Sequence, residues 1–372
     1  MEQITKSDLL LINALSQNTY SNNKLLSKAT ESEKEQLDNI KRKLKEICIY
    51  FSKKYKDSYG PFETSVVTGN DIAIGGTRFK RIWSGLFKGA ENKQYAAQIS
   101  FVLNPVEACL DVGFYFGRAQ THSKNKEERK RLETQLKSLG ISLSNSIKNN
   151  ELFNQKYLDL FDFGFSAYSN GENVTSENWF ELIVNNTKSS QIIAKVYPND
   201  FDIIENSTID LYVSQIIFLM GGISNKNEIL IPNIKPLTPE QRAKQAERLA
   251  QIGLEGERFI FISEQNKLAK FGIIRDGYPR HVALESENYG YDILSLDANE
   301  DDIYIEVKTT TRIKNDTRSR FFYISNNEIN TFLENKNRYK LYIVYNVENK
   351  PEYEELDLNE LNKRPDGYIV EY

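Results

Sequence analysis

GYDILSLDANEDDIYIEVKTTT, residues Gly290–Thr311, is the stretch that decides how the C-terminal part of this chain folds. Two β-branched and aromatic runs flank ANEDD (Ala298–Asp302), a turn-forming segment, so the stretch predicts a β-hairpin. Successive side chains of a strand point to opposite faces. Glu306 and Lys308 therefore share one face, while Val307 points into the opposite layer. Hairpin pairing brings Asp292 beside Glu306. Two carboxylates and one ammonium then converge at one end of a sheet.

That set suits metal-assisted phosphodiester hydrolysis. Two carboxylates can hold Mg²⁺ while it keeps several waters, as this ion prefers. The metal would polarise the scissile phosphate and lower the pKa of a bound water. Lys308 would position that water, help deprotonate it, or stabilise the pentacovalent phosphorus. Without a cation, the like charges of Asp292 and Glu306 are costly in a partly buried site. Metal binding is therefore expected to stabilise the fold.

Upstream, GLEGERFIF places Glu255 and Glu257 on a helix whose apolar residues Phe259 and Ile260 pack on the sheet. Either acid could aim at the strand ends as a third metal ligand. That helix opens with TPEQ: Thr238 as cap, Pro239 as first helical residue, Gln241 as reciprocal partner. It is expected to run to about Glu264. Strands are expected at about Tyr289–Leu296, Ile303–Thr309 and Arg320–Tyr323. SNNE at Ser325–Glu328 is a second capping box, opening a helix to about Asn335, and YKLYIVYNV closes the set as a strand. A Glu-x-Lys triplet alone is common and decides nothing. The order helix-Glu, strand-Asp, strand-Glu-x-Lys, helix points to a nuclease.

Composition narrows the chemistry. The chain has 372 residues, 40% of them hydrophobic and 27% charged, as expected of a globular protein of two domains or one large one. It has no apolar run long enough to span a membrane, and MEQITKSDLL lacks the layout of a secretion signal. Cys48 and Cys109 lack metal-ligand spacing, and two cysteines in this length point to a reducing, cytoplasmic setting. His122 and His281 are the only histidines, which disfavours a zinc site and a Ser-His-Asp triad. A metal here would be held by carboxylates, hence Mg²⁺, Mn²⁺ or Ca²⁺. The formal net charge of −4 gives no whole-protein attraction for nucleic acid, so any DNA contact needs a local basic stripe.

GLEGERFIF, NYGYDILSLD, IYIEVKTTT, FFYISNNEI and YKLYIVYNV together resemble the family named after the C-terminal domain of the NO VEIN protein. The resemblance covers roughly Ala246–Val347. That family is regarded as part of the PD-(D/E)XK nuclease-like superfamily. The resemblance implies an α/β restriction-endonuclease-like domain over 238–372, with a central mixed sheet flanked by helices. It implies Glu257, rather than Glu255, as the helix acid, with Asp292 and Glu306 as further metal ligands and Lys308 completing the catalytic set. It further implies Mg²⁺, replaceable by Mn²⁺, and double-stranded DNA as substrate. Family members are often joined to ATPase or restriction modules. This chain has no G-x-x-x-x-G-K-[ST] loop, so a separate ATPase or methyltransferase partner stays open. GNDIAIGG at 69–76 reads as a turn.

The N-terminal part reads as an α+β domain over 1–230. Leu25, Leu26, Leu37, Ile40, Leu44, Ile47 and Phe51 recur at helical spacing, predicting a helical hairpin over 1–60. KRIWSGLF, QYAAQISFVL and ACLDVGFYFG predict antiparallel strands. A charged helix is expected from Lys124 to about Leu139, then strands at DFGFSAY and QIIAKVY between helices at Ser176–Asn185 and Ser207–Met220. Gly221–Thr238 reads as a linker. KRIWSGLFKGAENKQYAAQISFVLNP and GFYFGRAQ resemble the DNA-binding domain of modified-cytosine restriction proteins. That resemblance implies base recognition by aromatics such as Trp83 and Tyr95, with Arg118, Lys124 and Lys126 of the adjoining basic run on phosphates. The same aromatics read more simply as the core of a sheet, and the basic run as a solvated helix face interleaved with Glu127, Glu128 and Glu133.

The expectation is thus a DNA endonuclease serving restriction or phage defence. It is expected to act as a homodimer, because one such site cuts one strand. The alternative keeps the fold but only binds DNA or protein.

Overall fold

A computed structural model describes residues 1–16, 30–67, 82–89, 93–104, 106–117, 125–185, 189–223 and 236–363. The chain forms two compact units, Met1–Gln245 and Ala246–Tyr372. Both mix helices with sheet, as expected.

The first unit is α+β. Its elements are β1 (Ile4–Thr5), α1 (Lys6–Ser16), α2 (Glu31–Lys54), α3 (Lys56–Tyr59), β2 (Glu63–Val67), β3 (Ile82–Lys88), β4 (Ala97–Asn104), β5 (Cys109–Phe116), α4 (Lys126–Asn149), α5 (Glu151–Asp162), β6 (Ser166–Ser169), β7 (Glu172–Val174), α6 (Ser176–Asn185), β8 (Ser190–Val196), β9 (Ile203–Ile204) and α7 (Asn206–Ile216). Seven strands form one antiparallel sheet in the order β2-β3-β4-β5-β8-β6-β7. Alternate residues Ile99, Phe101, Leu103, Leu110, Val112 and Phe114 of β4 and β5 join one apolar core with the helices. Leu37, Ile40, Leu44, Ile47 and Phe51 of α2 are fully buried there, as their spacing predicts. A buried ion pair, Lys43 Nζ to Asp8 Oδ2 at 2.7 Å, links α2 to α1. Leu25 and Leu26 lie outside the described residues.

Several expected boundaries shift. α4 continues ten residues past Leu139 because Leu143 and Ile147 extend its buried stripe. α5 occupies the start of DFGFSAY, so the strand there is only Ser166–Ser169. Gly221 and Gly222, read as linker, instead belong to a buried 3₁₀ turn (Ile217–Gly222) packed into the core.

The second unit carries α8 (Pro239–Phe271, begun in the first unit), β10 (Arg280–His281), β11 (Ile293–Leu296), β12 (Asp302–Thr309), α9 (Asn326–Glu334), β13 (Tyr339–Tyr345) and β14 (Glu352–Leu356). The strands form one sheet in chain order. β12 and β13 are parallel and the other neighbours antiparallel, so the sheet is mixed, as expected. Ile293, Ile303, Ile305, Val307, Tyr342 and Val344 pack one face against Ile260 of α8. Tyr339 and Leu341 pack the other against Phe332 of α9. Thr238 and Gln241 cap α8 reciprocally at 3.1 and 3.2 Å, and Ser325 and Glu328 cap α9 in the same way.

α8 runs one residue short of Gly272, well past Glu264. Arg248, Ile252, Gly256, Ile260, Glu264 and Leu268 recur every fourth residue and are its buried residues, so the stripe continues and the helix with it. Glu264 fits this stripe because Ser295 Oγ donates to it at 2.6 Å and Lys267 pairs with it. The strand expected at Arg320–Tyr323 does not form. A 3₁₀ turn (Thr317–Arg320) leads instead into an extended strap outside the sheet. β10 and β14, which sequence reading did not foresee, close the two sheet edges.

Candidate active site

The hairpin forms as expected. β11 begins at Ile293, paired with Ile305, and the Asp292 N–H still donates to Ile305 O at 2.8 Å. Beyond that point the strand offers no backbone acceptor to Val307. An open N–H there would be costly. The Asp292 carboxylate takes it: Val307 N donates to Oδ2 at 2.7 Å. This bond pins Asp292 at the level of Glu306.

Gly290 makes the approach possible. It has φ of 73°, and a Cβ there would strike the Thr331 hydroxyl of α9. Its carbonyl accepts from the buried Tyr339 hydroxyl at 3.2 Å. A second glycine, Gly256, lets α8 pass against the end of β12, where any Cβ would collide with the Thr309 side chain. That contact explains a glycine inside a helix.

Lys308 donates to Glu306 Oε1 at 2.6 Å and to Glu328 Oε2 at 3.0 Å. Glu306 is 3% exposed. Burial pushes Glu306 well above the usual carboxylate range; the Asp292 charge adds to this, and Lys308 opposes it. Burial likewise raises Asp292, with Glu257 adding and the Val307 N–H and Lys308 opposing. Burial alone would lower Lys308, but the carboxylates of Glu306 and Glu328 more than reverse that. The site is therefore short of positive charge. It relieves the deficit by keeping a proton, or by taking a cation.

Glu257 does not join this pair. α8 covers the Ile305 and Val307 face, whereas Glu306 and Lys308 project to the other. Glu257 Oε2 lies 2.6 Å from His281 Nε2. His281 in turn stacks on Phe261 of the same helix, with ring centroids 5.9 Å apart. Glu257 still reaches Asp292 through its charge. As placed, no three His, Cys, Asp or Glu side chains among the described residues converge closely enough to hold a metal ion. The two-carboxylate set of Asp292 and Glu306 fits a hard divalent cation by its chemistry: oxygen donors of like charge, desolvated together, with one lysine to offset them.

Residues 256–356 match a protein-family model described as "Protein NO VEIN, C-terminal". The NO VEIN match spans the end of α8, the whole hairpin, α9, β13 and β14. It therefore contains Glu257, Asp292, Glu306 and Lys308, and it supports the resemblance read from the sequence for this unit. The resemblance of the first unit to modified-cytosine readers found no such support. No curated protein and no solved structure matches the chain.

Sequence reading missed Glu328, and it read His281 as either a DNA contact or a structural histidine without finding its partner. Glu328 was legible only as the closing residue of a capping box. Its Oε2 accepts from Ser325 N at 2.9 Å, and the same atom accepts from Lys308. His281 left no signal, because its partner lies 24 residues away.

The first-unit candidates are placed differently. Tyr95 lies in the apolar core at 3% exposure, and Trp83 is equally buried, with Lys93 Nζ 5.5 Å from its ring centre. Neither ring, as placed, offers a face to a base. Tyr95 serves as core packing, and Trp83 is buried beside Lys93. Lys126 is the exposed first residue of α4. Arg118 and Lys124 lie outside the described residues, as do His122 and the turn expected at 69–76. Among the described residues no helix is long and apolar enough to cross a membrane.

Proposed function

We propose that the second unit is a metal-dependent endonuclease that hydrolyses phosphodiester bonds of double-stranded DNA. The observation that carries this reading is the pair Asp292–Glu306: a half-buried and a buried carboxylate, both held above their ordinary range, beside a lysine that is held charged. A fold keeps such a cost where it is used. The match to the NO VEIN family over the same residues adds to it.

Asp292 and Glu306 would hold Mg²⁺, with Mn²⁺ able to replace it, and Glu257 would complete the set by turning from His281. Bound there, the metal would supply charge neutralisation at the scissile phosphate and a more acidic water. Lys308, on the same face as Glu306, carries its positive charge to a phosphate oxygen or holds the attacking water by hydrogen bond. Glu328 gives the Lys308 ammonium a second carboxylate partner besides Glu306, so that it does not swing free. The Val307 N–H keeps the Asp292 carboxylate turned inward. A cytoplasmic role in restriction or phage defence, with a second copy cutting the opposite strand, fits such an enzyme. A methyltransferase or ATPase partner and the sensing of modified bases by the first unit belong to the same proposal.

One observation favours a second reading. Glu257 is engaged by His281, and among the described residues it does not gather with both acids into a three-ligand cluster. A protein that only binds DNA or another protein through this fold would need no third ligand. Incubation of unmodified and cytosine-modified plasmid with Mg²⁺ or Mn²⁺, beside Lys308→Ala and Asp292→Ala, separates the two. Cutting by the wild type and not by the folded variants supports the nuclease. Binding without cutting in every metal supports the second reading.

A further inference from the structure

The chain between the Glu-x-Lys strand and α9, TRIKNDTRSRFFYIS (Thr311–Ser325), carries four cations, Arg312, Lys314, Arg318 and Arg320, against one acid, Asp316. The whole chain has a net charge of −4, so this is a local reversal of sign. The turn is held tightly. Arg312 and Asp316 form an ion pair at 3.1 Å with both side chains 3% exposed. Asp316 also accepts from Arg318 N at 3.0 Å, and Ser319 Oγ donates to Asp316 O at 2.7 Å. Asn346 N donates to Arg312 O at 2.8 Å, which fastens the turn to the end of β13.

From this frame the strap runs extended to the α9 cap. Phe322 and Ile324 pack into the core beneath α9. Phe321 and Tyr323 alternate with them and are 79% and 82% exposed. Two large rings on a rigid, cationic strap are an unusual surface to leave in water. Three residues past Ser325, on the next helix, Glu328 holds Lys308.

We propose that this strap grips an unpaired nucleobase of the DNA next to the scissile phosphate. Residues two apart in an extended chain are spaced by about 6.6–6.8 Å. Stacked bases rise by about 3.4 Å each, so one base fits between the planes of Phe321 and Tyr323. Base–aromatic stacking needs a free π-face, which a base inside a duplex does not offer. Arg312 is spent on Asp316 and Lys314 pairs with Glu354, so Arg318 and the exposed Arg320 supply the accompanying phosphate attraction, and the preformed turn lowers the ordering cost of binding. The inference rests on the nuclease reading, and it specifies that reading: the substrate would be a duplex with one base displaced at the point of cutting.

The test uses the full chain and three probes: a fluorescein-labelled oligothymidylate, a perfect duplex, and that duplex with one extrahelical nucleotide. Binding is read by anisotropy without metal, and cleavage of the same probes with Mg²⁺. Phe321→Ala and Tyr323→Ala are each expected to weaken the single-stranded and extrahelical probes by about tenfold, as loss of one stacked base does. The perfect duplex should be unaffected, and Tyr323→Phe should bind like the wild type. Unchanged affinity and KM in both alanine variants, or equal losses on all three probes, would overturn the strap inference while a cutting wild type keeps the nuclease reading. A wild type that neither binds nor cuts any probe removes both. Conversion of a dimer to a monomer by Phe321→Ala, with DNA binding intact, makes the strap a contact between copies and also overturns the inference.

Discussion

The seven-stranded sheet of the first unit and the five-stranded sheet of the second both hide a carboxylate beside a lysine. In the first, Asp111 of β5 faces Lys195 of β8 across the sheet. Burial pushes Asp111 up to about 7, Lys195 pulls it down and Glu107 adds to the rise. The Cys109 thiol donates to Asp111 at 3.5 Å, and Lys195 pairs with the more exposed Glu107 at 2.6 Å. In the second, half-buried Asp292 and buried Glu306 raise each other's cost, with Glu328 close by and Lys308 to offset them. A single buried acid with its own partners is a structural device. Two that share one lysine leave a deficit of positive charge, and that deficit is what a cation can fill.

The comparison breaks first at Lys308. Lys308→Met should lower the rate of DNA cleavage by roughly 10²–10³-fold, the effect of losing one charged stabiliser of the transition state. Lys195→Met should leave cleavage untouched. Single-turnover rates on one oligonucleotide decide between them, and equal losses would erase the distinction drawn here.

Metal-linked stability is the next largest effect. Mg²⁺ at about a hundredfold over its dissociation constant should stabilise the second unit by roughly 2.7 kcal/mol. Asp292→Asn should remove that gain, whereas Asp111→Asn should keep it. Both tryptophans, Trp83 and Trp179, lie in the first unit, so their fluorescence reports that unit alone. Hydrogen exchange of β12 amides reports the second. A gain that survives Asp292→Asn would put the metal elsewhere.

Gly256→Ala sharpens the role of α8. Helix propensity alone predicts a gain of about 1 kcal/mol. The clash with Thr309 predicts instead a loss of about 1–3 kcal/mol. Denaturant midpoints give the sign, and a stabilised variant would refute the close approach of α8 to β12.

The last contrast is in pH. Asp111 is raised in the folded state, so folding takes up a proton as pH rises past the ordinary carboxylate pKa of about 4. Its contribution is fully present below that value and is lost as pH climbs through about 7. Asp111→Asn should flatten this slope in tryptophan-detected unfolding. Mg²⁺ should not restore it. The same slope in the second unit, from Asp292 and Glu306, should disappear when Mg²⁺ is added.

Much of the second unit was legible because its signals are local. Strand alternation placed Glu306 and Lys308 on one face, the turn at ANEDD set the hairpin, and SNNE marked the start of α9. The strand assigned to Arg320–Tyr323 failed for a physical reason. Its aromatic character suits a strand, yet the buried Arg312–Asp316 pair turns the chain away from the sheet first. In the first unit Trp83 and Tyr95 carried the right chemistry for base recognition, but nothing in a sequence distinguishes an aromatic that packs from one that waits for a ligand.

Sequence by itself determined the pairing of acid, acid and lysine on one hairpin, because side-chain alternation and capping depend on neighbours a few residues apart. Tertiary structure alone decided which partners those groups take: Glu257 with His281 across 24 residues, and Lys308 with Glu328 across 20. Those choices follow from which helix covers which face of the sheet. Packing of the whole unit sets that, and no short stretch of chain encodes it.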